Sequence, residues 1–151
     1  MTTLEDVIPL GYVRSDQTPK DVMSAYQWHC RQHNRPYIWI AFKPTNSSRC
    51  RGDFRVLMST KETMKPTRKT TAQVTKLRKA WSERLVPDRK DGKPKGELDF
   101  DAKEAGVPCL TEDQAVALAA ELWAIVGQDG AYTYVEPADE DEAAGDLEKD
   151  A

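Results

Sequence analysis

The stretch "RPYIWIAFK" at 35–43 and the stretch "FRVLMST" at 54–60 both place large side chains on alternate positions, with only "PTNSSRCRGD" between them. Period two is the repeat of a β-strand, whose successive side chains point to opposite faces. One face collects Ile38, Ile40, Phe42, Phe54, Val56 and Met58. The other collects Tyr37, Trp39, Ala41 and Lys43 with Arg55, Leu57 and Ser59. Two such strands joined by a polar connection predict an antiparallel hairpin. That hairpin is the frame on which the rest of the chain must pack.

Ahead of it, "DVIPLGYV" reads as a short first strand, with Pro9 and Gly11 placing it at an edge. "TPKDVMSAYQWHCRQHN" opens with Thr18 as cap, Pro19 at the first helical position and Asp21 in the first turn, which predicts a helix over about 19–33. At 100° per residue Val22, Tyr26, His29, Cys30 and His33 share one side, while Trp28 lies on the other. A second helix is expected over about 70–86, with Val74, Leu77, Trp81 and Leu85 in its apolar stripe and Lys69, Lys76 and Lys79 pointing away. Glu83 interrupts that basic face and Pro87 ends the helix, after which a Gly/Pro-rich mobile loop is expected at 87–110. Thr111 and Gln114 form a capping box for a third helix that runs to Gly127. Its stripe is Leu118, Leu122, Ile125 and Val126. Ala117, Ala120 and Ala124 give its reverse side a small-residue surface suited to another helix or a second subunit, hence a homo-oligomer. "AYTYVEP" supplies a last short strand. The order β-α-β-β-α-α-β predicts an α+β fold, an antiparallel sheet with about three helices packed on one face.

The chain's charge is divided along its length. Residues 1–135 hold 21 Lys+Arg against 17 Asp+Glu, a net of +4, whereas 136–151 hold one against eight, a net of −7. Within the first part, 61–95 carries 12 basic and four acidic residues. The expected organisation is therefore a single domain over 1–135 and a disordered acidic tail over 136–151, too poor in large apolar side chains to fold. Cys30, Cys50 and Cys109 have neither CxxC pairing nor the density of a disulfide scaffold, so a reducing, cytoplasmic setting is expected. No apolar run approaches the roughly 18 residues of a membrane span.

Rings interleaved with cations on one sheet face are what a single strand of nucleic acid requires. Rings stack on unpaired bases at about 1–3 kcal/mol each, and cations meet phosphates. The expected binding residues are Tyr37, Trp39, Lys43 and Arg55 on the hairpin, Trp28 on the first helix, and Lys69, Lys76 and Lys79 on the second. His29 and His33 have the i,i+4 spacing of zinc ligands but fall on an apolar face, where core or rim histidines are the expectation, and no metal site is assigned. Glu97, Asp99, Asp101 and Glu104 cluster in the expected loop with no paired base behind them. No nucleophile elbow, Walker loop or dinucleotide fingerprint occurs, so neither an enzyme nor a cofactor is expected.

A basic, ring-bearing body followed by an acidic C-terminus resembles, in layout, the bacterial and phage single-stranded DNA-binding proteins. The resemblance implies non-enzymatic binding of single-stranded DNA or RNA. It further implies a tail that competes for the basic surface and recruits a polymerase or another replication or transcription protein. This tail ends Asp146-Leu147-Glu148-Lys149-Asp150-Ala151, without the terminal aromatic such tails often carry. The rival reading is a small viral or bacterial regulator that grips another protein and binds no nucleic acid.

Overall fold

The computed structural model describes residues 3–44, 52–85 and 110–136. The expected 87–110 loop apart from Leu110, the acidic cluster within it, and the tail beyond Glu136 lie outside the described residues. The fold is mixed α/β. In chain order it comprises α1 (Leu4–Val7), β1 (Val13–Arg14), α2 (Lys20–Gln32), β2 (Tyr37–Phe42), β3 (Phe54–Ser59), β4 (Met64–Pro66), α3 (Arg68–Arg84), α4 (Glu112–Val126) and β5 (Tyr132–Tyr134).

The hairpin forms in the register that its alternation demands, with Ile38 opposite Met58, Ile40 opposite Val56 and Phe42 opposite Phe54. Ile38, Ile40 and Val56 belong to the larger core with Val74, Trp81, Leu85, Leu118 and Leu122, so α3 and α4 cover this face. Thr111 accepts from the Gln114 N–H, and the Gln114 side chain answers the Thr111 N–H, completing the expected capping box of α4. Ala117, Ala120 and Ala124 are exposed on that helix.

Three expectations are corrected. "DVIPLGYV" is largely helix and turn, with α1 ending at Val7 and only Val13 reaching the strand. Its partner β2 runs parallel to it, with Val13 opposite Trp39. Adjacent parallel strands need a crossover connection, and α2 is that crossover. The helices therefore do not share one face. Tyr26 and Cys30 of α2 pack with Val7, Val13 and Tyr37 in a second core on the opposite side of the sheet. The physical reason lies in β2, which carries large apolar side chains on both faces and so requires cover on both. A further strand, β4, pairs with β5 through Met64 and Tyr134 in a separate two-stranded ladder.

Candidate nucleic-acid interface

The ring-bearing face of the hairpin lies under α2 rather than in solvent. Tyr37 is 9% exposed, and its ring stacks on Trp39 with centroids 5.1 Å apart and tilts against Tyr26 at 5.9 Å. Burial, with the neighbouring Cys30 adding to it, pushes the Tyr37 hydroxyl up to about 12. Trp39 packs against the same second core. The expectation of an open stacking platform at Tyr37 and Trp39 is corrected accordingly, because α2 crosses between two parallel strands and settles on the face those rings occupy. Arg55 shares that face in a partly buried position opposite Ala41, and Lys43 is exposed just past the end of β2.

The basic residues of α3 remain at the surface. Thr67 caps the helix by accepting from the Thr70 N–H at 3.2 Å, and Val74, Trp81 and Leu85 turn inward. That orientation sends Arg68, Lys69, Lys76 and Lys79 outward, and all four are exposed. At 1.5 Å of rise per residue, Lys76 lies about 10 Å and Lys79 about 15 Å along the axis from Lys69, a ridge of charge rather than a cluster. Among the described residues no carboxylate forms an ion pair with any of these three lysines. Arg84 is used differently: its guanidinium carbon lies 4.2 Å from the Trp81 ring centroid, and it pairs with Glu121 of α4 at 3.5 Å.

The start of α3 concentrates the positive charge further. Its first turn holds Arg68 and Lys69 and no acidic residue, although a helix N-terminus already carries a partial positive charge and free N–H groups. Lys65 is exposed on β4, just before the helix. Neither Arg68 nor Lys65 was singled out from the sequence. The signal available there was two cations in a first helical turn, a placement that works against the helix and so calls for another explanation.

Trp28 is 65% exposed, on the outer side of α2 as expected. Because α2 and α3 cover opposite faces of the sheet, Trp28 and the α3 lysines do not form one surface. The eight expected residues thus divide into a stacked pair of buried Tyr37 and half-buried Trp39, an exposed lysine ridge, and three separate positions at Lys43, Arg55 and Trp28. His29 and His33 have their rings 4.3 Å apart. No group of three or more His, Cys, Asp or Glu is placed to hold a metal ion among the described residues.

Comparison with family models, with curated proteins and with solved structures finds no match for this chain. Among the described residues no helix is long and apolar enough to cross a membrane.

Proposed function

We propose that this protein binds nucleic acid without catalysing a reaction on it, and that the lysine ridge of α3 is the contact surface. The observation that carries this reading is the exposure of Lys69, Lys76 and Lys79 along one side of α3 with no carboxylate paired to them among the described residues. Charge that no described carboxylate pairs is available to phosphates, and releasing condensed counterions supplies the affinity. Arg68 and Lys65 extend the surface beyond the helix N-terminus. Arg89, Lys90, Lys93 and Lys95 belong to the same basic part of the sequence.

With Tyr37 inside the second core and Trp39 packed against it, the reading no longer rests on base stacking. Phosphate-led binding discriminates weakly between strands and duplexes, so equal lengths of each should bind within about tenfold of one another. The tail, with its net charge of −7, competes for the ridge and recruits a replication or transcription protein.

The test is fluorescence anisotropy with labelled single-stranded and duplex DNA at two salt concentrations, using the full chain, a K69A/K76A/K79A variant and residues 1–135. The triple variant should bind more weakly, with its plot of log affinity against log salt shallower by about 2 to 3. The truncated protein should bind roughly tenfold more tightly at low salt, and the difference should close as salt rises. Unchanged affinity in the triple variant would remove α3 from the site. No binding by either the full chain or the truncation would sink the reading.

That last outcome would favour the rival, a regulator that docks on another protein. Trp28 at 65% exposure and Leu10 at 50% are the observations behind it, since large exposed apolar side chains commonly anchor protein partners.

A further inference from the structure

A cleft of about 200 Å³ opens between the C-terminal half of α2, the turn after α1 and the end of α4. It lies apart from the lysine ridge in chemistry as well as in residues. One wall is the ring of Trp123, fixed by the close approach of two glycines. A Cβ at Gly11, whose φ is +82°, would overlap that ring, and so would one at Gly127. The opposite wall comes from α2, where Tyr26, His29, Cys30 and His33 face the cleft. Arg35 completes the lining, its guanidinium carbon 6.0 Å from the Trp123 ring centroid.

Apart from Tyr26, the polar groups here are donors or cations in waiting. Tyr26 is 1% exposed, and beyond the Cys30 thiol beside it its hydroxyl has no hydrogen-bond partner. That hydroxyl oxygen is closed off from solvent, so Tyr26 borders the cleft without offering it a donor. His33 Nδ1 lies 2.9 Å from the His29 carbonyl oxygen, which can only accept, so Nδ1 donates and Nε2 is the nitrogen left for a further contact. Arg35 pairs with Asp129, but that carboxylate is 97% exposed to water and leaves most of the guanidinium's donors unused. No lining residue is acidic.

We infer that this cleft binds a small aromatic anion, a single ring bearing a carboxylate, with the ring against Trp123 and the carboxylate met by Arg35 and the imidazoles. Size supports the class. An apolar cavity of roughly 150 Å³ accepts benzene, and pockets for drug-sized ligands start at about 300 Å³, so about 200 Å³ suits one ring and one small substituent. Charge supports it too. Burial lowers the His29 pKa, and the neighbouring His33 and Arg35 lower it further. The groups facing His29 are His33, Tyr26 and Cys30 on α2, with Arg35 from the following turn and Asp129, through Arg35, from the segment after α4. Trp123 and Ile8 are uncharged. A bound carboxylate would offset the repulsion from Arg35 and favour the protonated imidazole, so binding takes up a proton and strengthens as pH falls through the histidine range.

The experiment is a titration of the full chain with benzoate, followed by NMR at the Trp123 indole N–H and the His29 and His33 ring carbons. Benzyl alcohol and cyclohexanecarboxylate serve as the neutral and the non-aromatic controls, and R35Q and H33Q as variants. The expected result is saturable shifts at all three side chains, a His29 pKa that rises with benzoate, and binding about tenfold weaker for R35Q and for either control. His33 is exposed, so H33Q should keep the fold and independently weaken binding. Absence of shifts at about 20 mM benzoate would overturn the inference. Equal binding of benzyl alcohol would overturn the anionic assignment, and equal binding of cyclohexanecarboxylate the aromatic one.

Discussion

Helices α3 and α4 pack on the same face of the sheet and both begin at a threonine cap, yet they carry opposite charge. The first holds six Lys+Arg and one Glu, and the second holds three Asp+Glu and no basic residue. In α4 the charges serve the helix: Glu112 and Asp113 sit in the first turn, where carboxylates complement the dipole, behind a reciprocal capping box. In α3 the first turn holds Arg68 and Lys69 and no carboxylate. Arg84, at the C-terminal end and paired with Glu121, is placed as folding would place it. The contrast teaches that the carboxylates of α4 complement their own helix, while Lys69, Lys76 and Lys79 of α3 pair with no carboxylate among the described residues. An electrostatic cost retained at the surface is a reason to look for a partner.

The largest effect is expected where the two helices meet. Trp81 is 2% exposed, its indole N–H donates to Glu121 at 3.1 Å, and Arg84 covers its ring. Trp81→Ala should cost about 3–5 kcal/mol in a urea titration, a large part of a domain's stability. A loss below about 1 kcal/mol would mean that the α3–α4 contact is looser than its burial implies. Charge reversal separates the helices in the other direction. K69E/K76E/K79E gives α3 the sign of α4, and since these side chains are exposed, the stability read from a urea titration should change by no more than about 0.5 kcal/mol. DNA affinity should nevertheless fall a hundredfold or more at low salt.

How far the sequence carried these conclusions depended on whether the deciding interaction was local. The alternation of 37–42 and 54–59, the Thr111–Gln114 box and the stripe of Val74, Trp81 and Leu85 are set by near neighbours, and each was legible. The placement of α2 was not. Its amphipathic pattern says that Tyr26 and Cys30 are buried, without saying against which face of the sheet. That choice follows from β1 pairing parallel with β2, a contact between Val13 and Trp39 that no local pattern announces. The error propagated to function, because Tyr37 reads equally well as an exposed stacking ring or as core. The lysines of α3 escaped it, since their exposure is fixed by the stripe on their own helix.

The caps give a smaller test of the same contrast. Thr111→Ala removes one half of a two-way box and should cost about 1 kcal/mol. Thr67→Ala removes a single capping bond, along with the 2.9 Å contact between the Thr67 and Thr70 hydroxyls. Both losses should appear as lower urea midpoints. The two losses should be similar, because each removes the acceptor of one N–H in the first turn, while the Gln114 side chain still accepts from the N–H of residue 111.

The smallest effect is the most discriminating, because its two readouts should move in opposite directions. Replacing Arg68 and Lys69 by glutamate puts carboxylates beside the N–H groups that open α3, as α4 already has beside its own. Relief of the dipole conflict should raise stability by about 0.3–1 kcal/mol at low salt, with the gain shrinking as salt screens it. The same substitutions remove two cations from the end of the proposed ridge and set two anions facing the phosphates. Urea midpoint and DNA affinity, measured on one preparation, should therefore rise and fall respectively. If both fell, Arg68 and Lys69 would be serving the fold through contacts that outweigh the dipole, and the asymmetry between the helices would cease to point outward. If stability rose and affinity held, the charge would be surplus to both, and the ridge would reduce to Lys76 and Lys79.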